Sequence, residues 1–258
     1  MGDDFNYEFG EAPAEFKSKR QIARVWSEGW LIREMYCPAC GNPKLNEFAN
    51  NQPAADAYCE FCEEQFELKA SKKKFGKKIR DGAYSTMLQR IQSDKAPSLL
   101  LMEYNEQARK MTNLSVVPQI LLTPKIIQKC PPLKATAKRA GHVMCNILIG
   151  DVPKIGRIEL VKNRIAIPKT TVLDRWAQTQ FLRGQNLTKK GWILDVLNCV
   201  ENLDKTEFSL NEVYKFENYL GELHPENHHV KPKIRQQLQV LRDAGILEFL
   251  GQGRYRVR

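Results

Sequence analysis

Two carboxylates and an amine, Asp56, Glu67 and Lys69, flank the second half of a doubled Cys-x-x-Cys pattern made by Cys37, Cys40, Cys59 and Cys62. Asp56 and Glu67 offer the hard oxygen ligands that magnesium takes, and Lys69 follows Glu67 at the spacing that shares one strand face. A divalent ion held there would activate water, and the ammonium beside it would stabilise charge on a pentavalent phosphorus. The chemistry that fits is metal-dependent phosphodiester hydrolysis. Glu-x-Lys also occurs in many solvated strands. The catalytic reading therefore draws on its surroundings: the cysteine hairpin, the basic run Lys72, Lys73, Lys74, Lys77 and Lys78, and a nucleic-acid-binding pattern downstream.

The cysteines carry the more specific signal. Eighteen residues separate Cys40 from Cys59, the spacing of a four-thiolate zinc site. Each Cys-x-x-Cys turn aims two sulfurs at one point, and two turns complete a tetrahedron with no position left for water, so the zinc is expected to be structural. Closing the pairs on each other would fix the turn between the segment holding Asp56 and the strand holding Glu67 and Lys69. A redox dithiol would need only one pair. Cys130, Cys145 and Cys199 stand singly among apolar residues and read as buried side chains. Seven cysteines in a chain that opens without a secretion signal argue against a disulfide framework. Glu63 and Glu64, between the two sites, read as surface charges.

The elements that must position these groups follow from hydrophobic period. Residues 18–36 carry Ile22, Val25, Trp26, Trp30 and Leu31 at helical spacing and lead into the first cysteine pair. QFELKA alternates, which places Phe66, Leu68 and Ala70 on one face of a strand and Glu67 and Lys69 on the other. AYSTMLQRIQSD reads as a helix, SLLLMEY and SVVPQILL as central strands, QKCPPLKATAKRAG as a surface loop, and GRIELVKNRIAI as a hairpin turning at Lys162–Asn163. Helices and strands mix without an internal period, which gives an α/β (mixed α+β) class.

A polar linker, RGQNLTKKG at 183–191, precedes a simpler pattern. A helix with Trp192, Ile193, Val196, Leu197 and Val200 on one side is followed by Ser209-Leu-Asn-Glu212, a capping-box signature opening a helix with Val213, Phe216 and Leu220. A third helix, about 230–244, buries Val230, Ile234, Leu238 and Leu241, ends at Gly245, and is followed by a hairpin, ILEFLGQGRYRVR. Three helices and a hairpin in this order make a winged helix-turn-helix. The expected division is a catalytic domain over 1–182 and a winged-helix DNA-binding domain over 183–258.

The 258 residues are 42% hydrophobic, enough for one large or two modest domains with ordinary cores, which excludes a disordered chain. A net charge of +10 favours polyanionic partners, nucleic acid first and an anionic membrane surface second. No apolar run is long enough to span a bilayer, and MGDDFNYEFG is acidic and lacks a signal-peptide core. A soluble protein of the prokaryotic cytoplasm is expected.

PAAD at 53–56 with Glu67-Leu68-Lys69 resembles the PD-(D/E)XK nuclease motif, and the chain from Gln21 to Arg258 resembles the DpnI-type methyl-directed restriction endonucleases. The matching stretches are CPACGN, the FELK strand, DGAYSTM, the TAKRAG loop, GWILDVLNC around Trp192 and KIRQQLQVLRD in the third C-terminal helix. The resemblance implies a PD-(D/E)XK nuclease domain with a C-terminal winged helix. Its activity would be that of a type II endonuclease cutting double-stranded GATC when the adenine is methylated on its exocyclic amine. It further implies that Asp56 and Glu67 bind magnesium, that Lys69 orients or deprotonates the attacking water, that the four cysteines hold a structural zinc, and that both domains read the methylated site. Two positions depart from the family pattern. His142 follows Arg139-Ala140-Gly141 where the family carries an aromatic, and an imidazole can stack but offers less apolar area than an indole. Pro53 is separated from Asp56 by two alanines.

With Ile234, Leu238 and Leu241 inward, helical geometry puts Lys233, Arg235, Gln236 and Gln239 on other, largely exposed faces. Gln236 or Gln239 could pair with the N7 and N6 edge of adenine, where one N6 hydrogen survives methylation, while Arg or Lys suits guanine. Arg254, Arg256 and Arg258 share a strand face suited to phosphates. Residues 228–258 hold seven Lys or Arg against two acids, a net of +5. Lys134, Lys138 and Arg139 are candidate phosphate contacts and His142 a candidate base contact; solvated surface side chains are the competing reading for each. The main rival function is a zinc-stabilised winged-helix regulator without catalysis, for which Asp56, Glu67 and Lys69 would have no use; an RNA-processing nuclease is a second. No obligate protein partner is inferred.

Overall fold

The computed structural model describes residues 5–48, 55–93 and 95–258, so Pro53 of the PD-like motif lies outside the described residues. Helix α1 (Lys19–Glu34) forms on the apolar spacing and buries Trp30 and Leu31 completely. After it run β1 (Asn46–Glu47), β2 (Ala57–Tyr58) and β3 (Gln65–Ser71), each antiparallel to the next. Phe66 on β3 is buried as expected, but Ala70 is exposed, since that end of the strand borders a cleft.

A crossover made of β4 (Ile79–Ala83) and α2 (Tyr84–Gln92) returns the chain to β5 (Ser98–Asn105), which pairs in parallel with β3. Parallel neighbours require such a crossover, and here it carries β4 close to β3 without joining its sheet. β6 (Lys110–Val117) pairs antiparallel with β5. The strand stops before Pro118, which has no N–H to donate; Gln119–Leu121, expected to extend it, turn as a 3₁₀ helix. β7 (Ile127–Pro132) and β8 (Val143–Ile147) join β4 in a small sheet of order β4-β8-β7. The stretch from Gln128 to Pro132, read as loop, is thus an edge strand, where proline is tolerated at a register irregularity; the loop itself is 133–142.

β9 (Ile158–Lys162) and β10 (Ile165–Ala166) complete a seven-stranded sheet, β1-β2-β3-β5-β6-β9-β10. Their turn falls on Asn163–Arg164, one residue later than expected, with φ of 50° and 62°, the left-handed pair that matches strand twist in a two-residue hairpin. Helix α3 (Lys169–Thr179) buries Val172 and Trp176 in the same cluster as Trp30 and Leu31 of α1.

Helix α4 (Leu187–Asn202) starts inside the expected linker, because the Asn186 side chain accepts the Lys189 N–H at 2.8 Å and caps it. β11 (Glu207–Ser209), unexpected as a strand, precedes α5 (Leu210–Tyr214), which opens on the Ser209–Glu212 capping box; the expected second helix is broken, and α6 (Glu217–Leu223) follows. α7 (Val230–Asp243) buries Ile234, Leu238 and Leu241 and stops before Gly245, whose φ of +74° suits glycine. β12 (Leu247–Gly251) and β13 (Arg254–Val257) form the wing, with strand order β11-β13-β12.

α4 is buried nearly all round, and its Trp192, Ile193 and Leu197 belong to one apolar cluster with Leu238 and Leu241 of α7 that also extends to Ile79, Met87, Ile91 and Leu99. The helix-turn-helix part is held to the first domain through α4, where Glu201 accepts the Lys154 N–H and Asn198 Nδ2 donates to Asp151 O, both at 2.8 Å. Asp195 on α4 adds a polar tie, bonding both Lys125 and, at 2.8 Å, Nε2 of His224. Among the described residues no helix is long and apolar enough to cross a membrane.

Candidate active site and metal centre

The two Cys-x-x-Cys segments fold as the same turn. In the first, Cys37 N–H donates to Asn42 O and Gly41 N–H to Cys37 O, both at 2.8 Å; in the second, Cys59 N–H donates to Glu64 O and Glu63 N–H to Cys59 O, both at 2.9 Å. The residue after each second cysteine is left-handed, Gly41 at φ +80° and Glu63 at +60°, so Glu63 serves the turn's geometry. Glu64 is half-buried and accepts Ser98 Oγ–H at 2.6 Å, which corrects its reading as a surface charge. The four sulfurs lie within 4.8 Å of one another, with Cys37–Cys62 and Cys40–Cys59 contacts of 3.6 Å. Burial pushes the Cys37 thiol up and the Cys62 thiol up to about 12, while at Cys59 burial is outweighed by backbone N–H and thiol hydrogen bonds, which lower it; a cation would hold the four sulfurs together as thiolates. The cluster could hold zinc with all four positions filled by sulfur.

This hairpin places Asp56. Asp56 N–H donates to Phe66 O at 2.8 Å, and its Oδ2 accepts Leu68 N–H at 2.7 Å, so backbone and side chain bracket Glu67 on β3. Glu67 and Lys69 share a face of β3, and Lys69 Nζ donates to Glu67 Oε1 at 2.5 Å. The same ammonium donates at 2.6 Å to Oδ1 of Asp81, a residue the sequence reading missed. Asp81 opens the DGAYSTM stretch that carries part of the resemblance, but nothing there assigns it to this site: it stands on a different strand, and only the crossover brings it to Lys69.

The electrostatics are those of a partly buried acidic site. Burial raises the Glu67 pKa, opposed by Lys69 and reinforced by Asp81 and Asp56. Burial alone would lower the Lys69 pKa, but Glu67 and Asp81 outweigh it and raise it, which keeps the amine protonated. Two carboxylates bond Lys69 and a third, Asp56, acts on Glu67, which leaves the cluster an excess of negative charge. Among the described residues, Asp56 Oδ1 and Glu67 Oε2 take no hydrogen bond, so the donor set fits a hard divalent cation.

Asp56 and Lys69 line a cleft of about 790 Å³ whose walls carry Lys19, Arg20 and Arg24 from α1 and Lys72, Lys74, Lys78 and Arg80 from the basic segment. The α1 cations were missed because the helix was read for its apolar stripe. Lys19, Arg20 and Arg24 are exposed, although Arg24 pairs with Glu28 at 2.7 Å.

The other predicted contacts are dispersed. Lys134, Lys138 and Arg139 are exposed in the 133–142 loop, and His142 is half-buried at its base, tied by Leu133 N–H to His142 O at 3.0 Å. On α7, Arg235, Gln236 and Gln239 are exposed, while Lys233 donates to Gln236 Oε1 at 2.8 Å and occupies part of that amide. The wing arginines are not a free cationic face: Arg254 and Arg256 pair with Glu207 of β11 at 3.0 and 2.8 Å, and Arg258 lies 3.6 Å from Glu248.

Comparison with known families gives two matches. The model described as DpnI, Dam-replacing family, matches residues 4–185, and that described as DpnI_C, Dam-replacing HTH domain, matches residues 188–257.

Proposed function

We propose, because the chain belongs to the DpnI, Dam-replacing family and carries that family's helix-turn-helix domain, that it is a type II endonuclease cleaving double-stranded DNA at GATC sites with methylated adenine. The family implies a methyl-directed restriction endonuclease acting on DNA; the GATC site, the magnesium chemistry and the residue roles are our reading. The observation that carries it is a cleft walled by cations that Asp56 and Lys69 line, with Glu67 bonded to Lys69 beside it. A regulator has no use for a half-buried carboxylate pair at the groove that meets phosphates, so this arrangement favours catalysis over the binding-only alternative.

In this reading residues 1–182 form a PD-(D/E)XK catalytic unit and 183–258 a DNA-reading unit. Asp56 Oδ1 and Glu67 Oε2 would hold magnesium, which when bound polarises a phosphoryl oxygen and acidifies water. Asp56 is oriented for this by Leu68 N–H, and Glu67 by its partnership with Lys69. Lys69, kept protonated by its two carboxylates, orients water and offsets charge at the reacting phosphorus. The sulfur cluster would hold zinc and so keep the Asp56 segment against β3. Lys134, Lys138, Arg139 and Lys233 contact phosphates, while Arg254 and Arg256, paired with Glu207, are left out of the phosphate path; His142, Arg235, Gln236 and Gln239 face bases.

Two duplexes identical but for methyl groups on the GATC adenines test the selectivity. In magnesium the methylated duplex is cut and the unmethylated one is cut at least about fivefold more slowly, the lower end of the discrimination one base contact supplies. Equal rates remove the methyl-directed reading, and tight binding without cutting of either duplex favours the regulator.

The cleft walls give a separate expectation. Replacing Lys19 and Arg20 together by Ala weakens binding to any duplex and lowers the slope of log affinity against log salt by about 1 per lost phosphate contact. An unchanged slope would exclude α1 from the DNA path.

A further inference from the structure

We propose that Asp81 is the positioning residue for Lys69, holding the ammonium in place when Glu67 turns its charge to the metal; this rests on the nuclease reading above. Asp81 has 7% of its side chain exposed, and among the described residues its carboxylate bonds Lys69 alone, at 2.6 Å. A carboxylate so buried is costly unless paired, so the contact is not an incidental surface bridge. Its backbone is anchored apart from β3: β4 pairs with β8, Asp81 opposite Cys145, and the register slips between Asp81 and Ala83. Such irregularities re-aim side chains beside active sites.

Glu67 has two duties that compete. Its Oε1 bonds Lys69 at 2.5 Å, while the proposed cation draws on the same carboxylate. With a cation at Glu67, that carboxylate would share its charge and hold Lys69 less firmly. Asp81, on another strand of another sheet, is untouched by that change and keeps the ammonium fixed. The bridging geometry, one lysine between two carboxylates of separate sheets, separates metal binding from lysine placement.

The test uses the full chain and a methylated duplex. Asp81→Asn keeps the side chain's size and removes its charge; kcat falls about 10–100-fold, the usual cost of losing a supporting partner, while KM for DNA and the half-saturating magnesium concentration stay within about twofold. In a Lys69→Ala background, Asp81→Asn causes no further loss, because it acts through Lys69. Should the Asn variant not fold, a crystal structure of the unaltered protein with DNA and calcium decides: Lys69 Nζ stays within about 3.2 Å of Asp81. An unchanged kcat, a tenfold higher magnesium requirement, a full loss persisting without Lys69, or a lysine that has left Asp81 overturns the proposal. Absence of cleavage by the unaltered protein would instead overturn the nuclease reading.

Discussion

Replacing Lys69 by Ala is expected to lower the single-turnover cleavage rate by about 10²–10³-fold, the cost of removing one charge-stabilising donor from a transition state. DNA affinity measured in calcium should change little, because one ammonium at the cleft floor is a small part of a cationic wall that includes Lys19, Arg20, Lys72 and Lys74. Stability should fall as well. Lys69 bridges Glu67 and Asp81, whose side chains are 18% and 7% exposed, and removing the cation leaves two carboxylates facing each other. Breaking a buried pair costs about 3–5 kcal/mol, and the openness of Glu67 puts the expected loss at or below the lower end. Rate, binding and melting temperature together separate the roles. A variant that melts lower but cuts normally would make Lys69 a structural counter-ion and nothing more.

The second large effect is expected from the sulfur cluster. The hairpin that carries Asp56 is joined to the sheet by few backbone contacts: β1 and β2 share two residue pairs, as do β2 and β3. Removing zinc with a strong chelator, or substituting Cys40→Ser, should release this segment, abolish cleavage and lower the melting temperature, since a structural zinc contributes about 10–16 kcal/mol of apparent binding free energy in small zinc domains. Added magnesium should not restore activity, because the lost element is the position of Asp56 rather than the second metal. Elemental analysis of the untreated protein should find zinc near one atom per chain, as four thiolates converging on one point require. Absence of zinc with full activity would refute the structural role.

Much of this arrangement is local and so could be read along the chain. The knuckles depend on Cys-x-x-Cys turns, the Ser209–Glu212 box on a spacing of three, and the buried stripe of α7 on helical period; each appears as expected except that Val230, at the first turn of α7, is only half-buried. Contacts made by topology could not be read this way. Asp81 meets Lys69 because β4 begins a crossover between parallel strands, and the DGAYSTM stretch it opens gives no sign of that contact. Arg254 and Arg256 looked like a free phosphate-binding face until β11 paired with β13 and set Glu207 opposite them. The charge of α1 became meaningful only once the helix faced the cleft. The stretch from Gln128 to Pro132 was hidden by its prolines, which signal loops but are tolerated on an edge strand.

The central claim is that the cleft around Asp56, Glu67 and Lys69 cuts methylated DNA with magnesium. The most direct measurement is digestion of one plasmid prepared from an adenine-methylating host and from a host lacking that methylation, with magnesium or with a chelator. The expected result is fragmentation at GATC sites of the methylated plasmid in magnesium, and intact DNA in the other three samples. Equal fragmentation of both plasmids, or cutting of the methylated plasmid in the chelator, would contradict it.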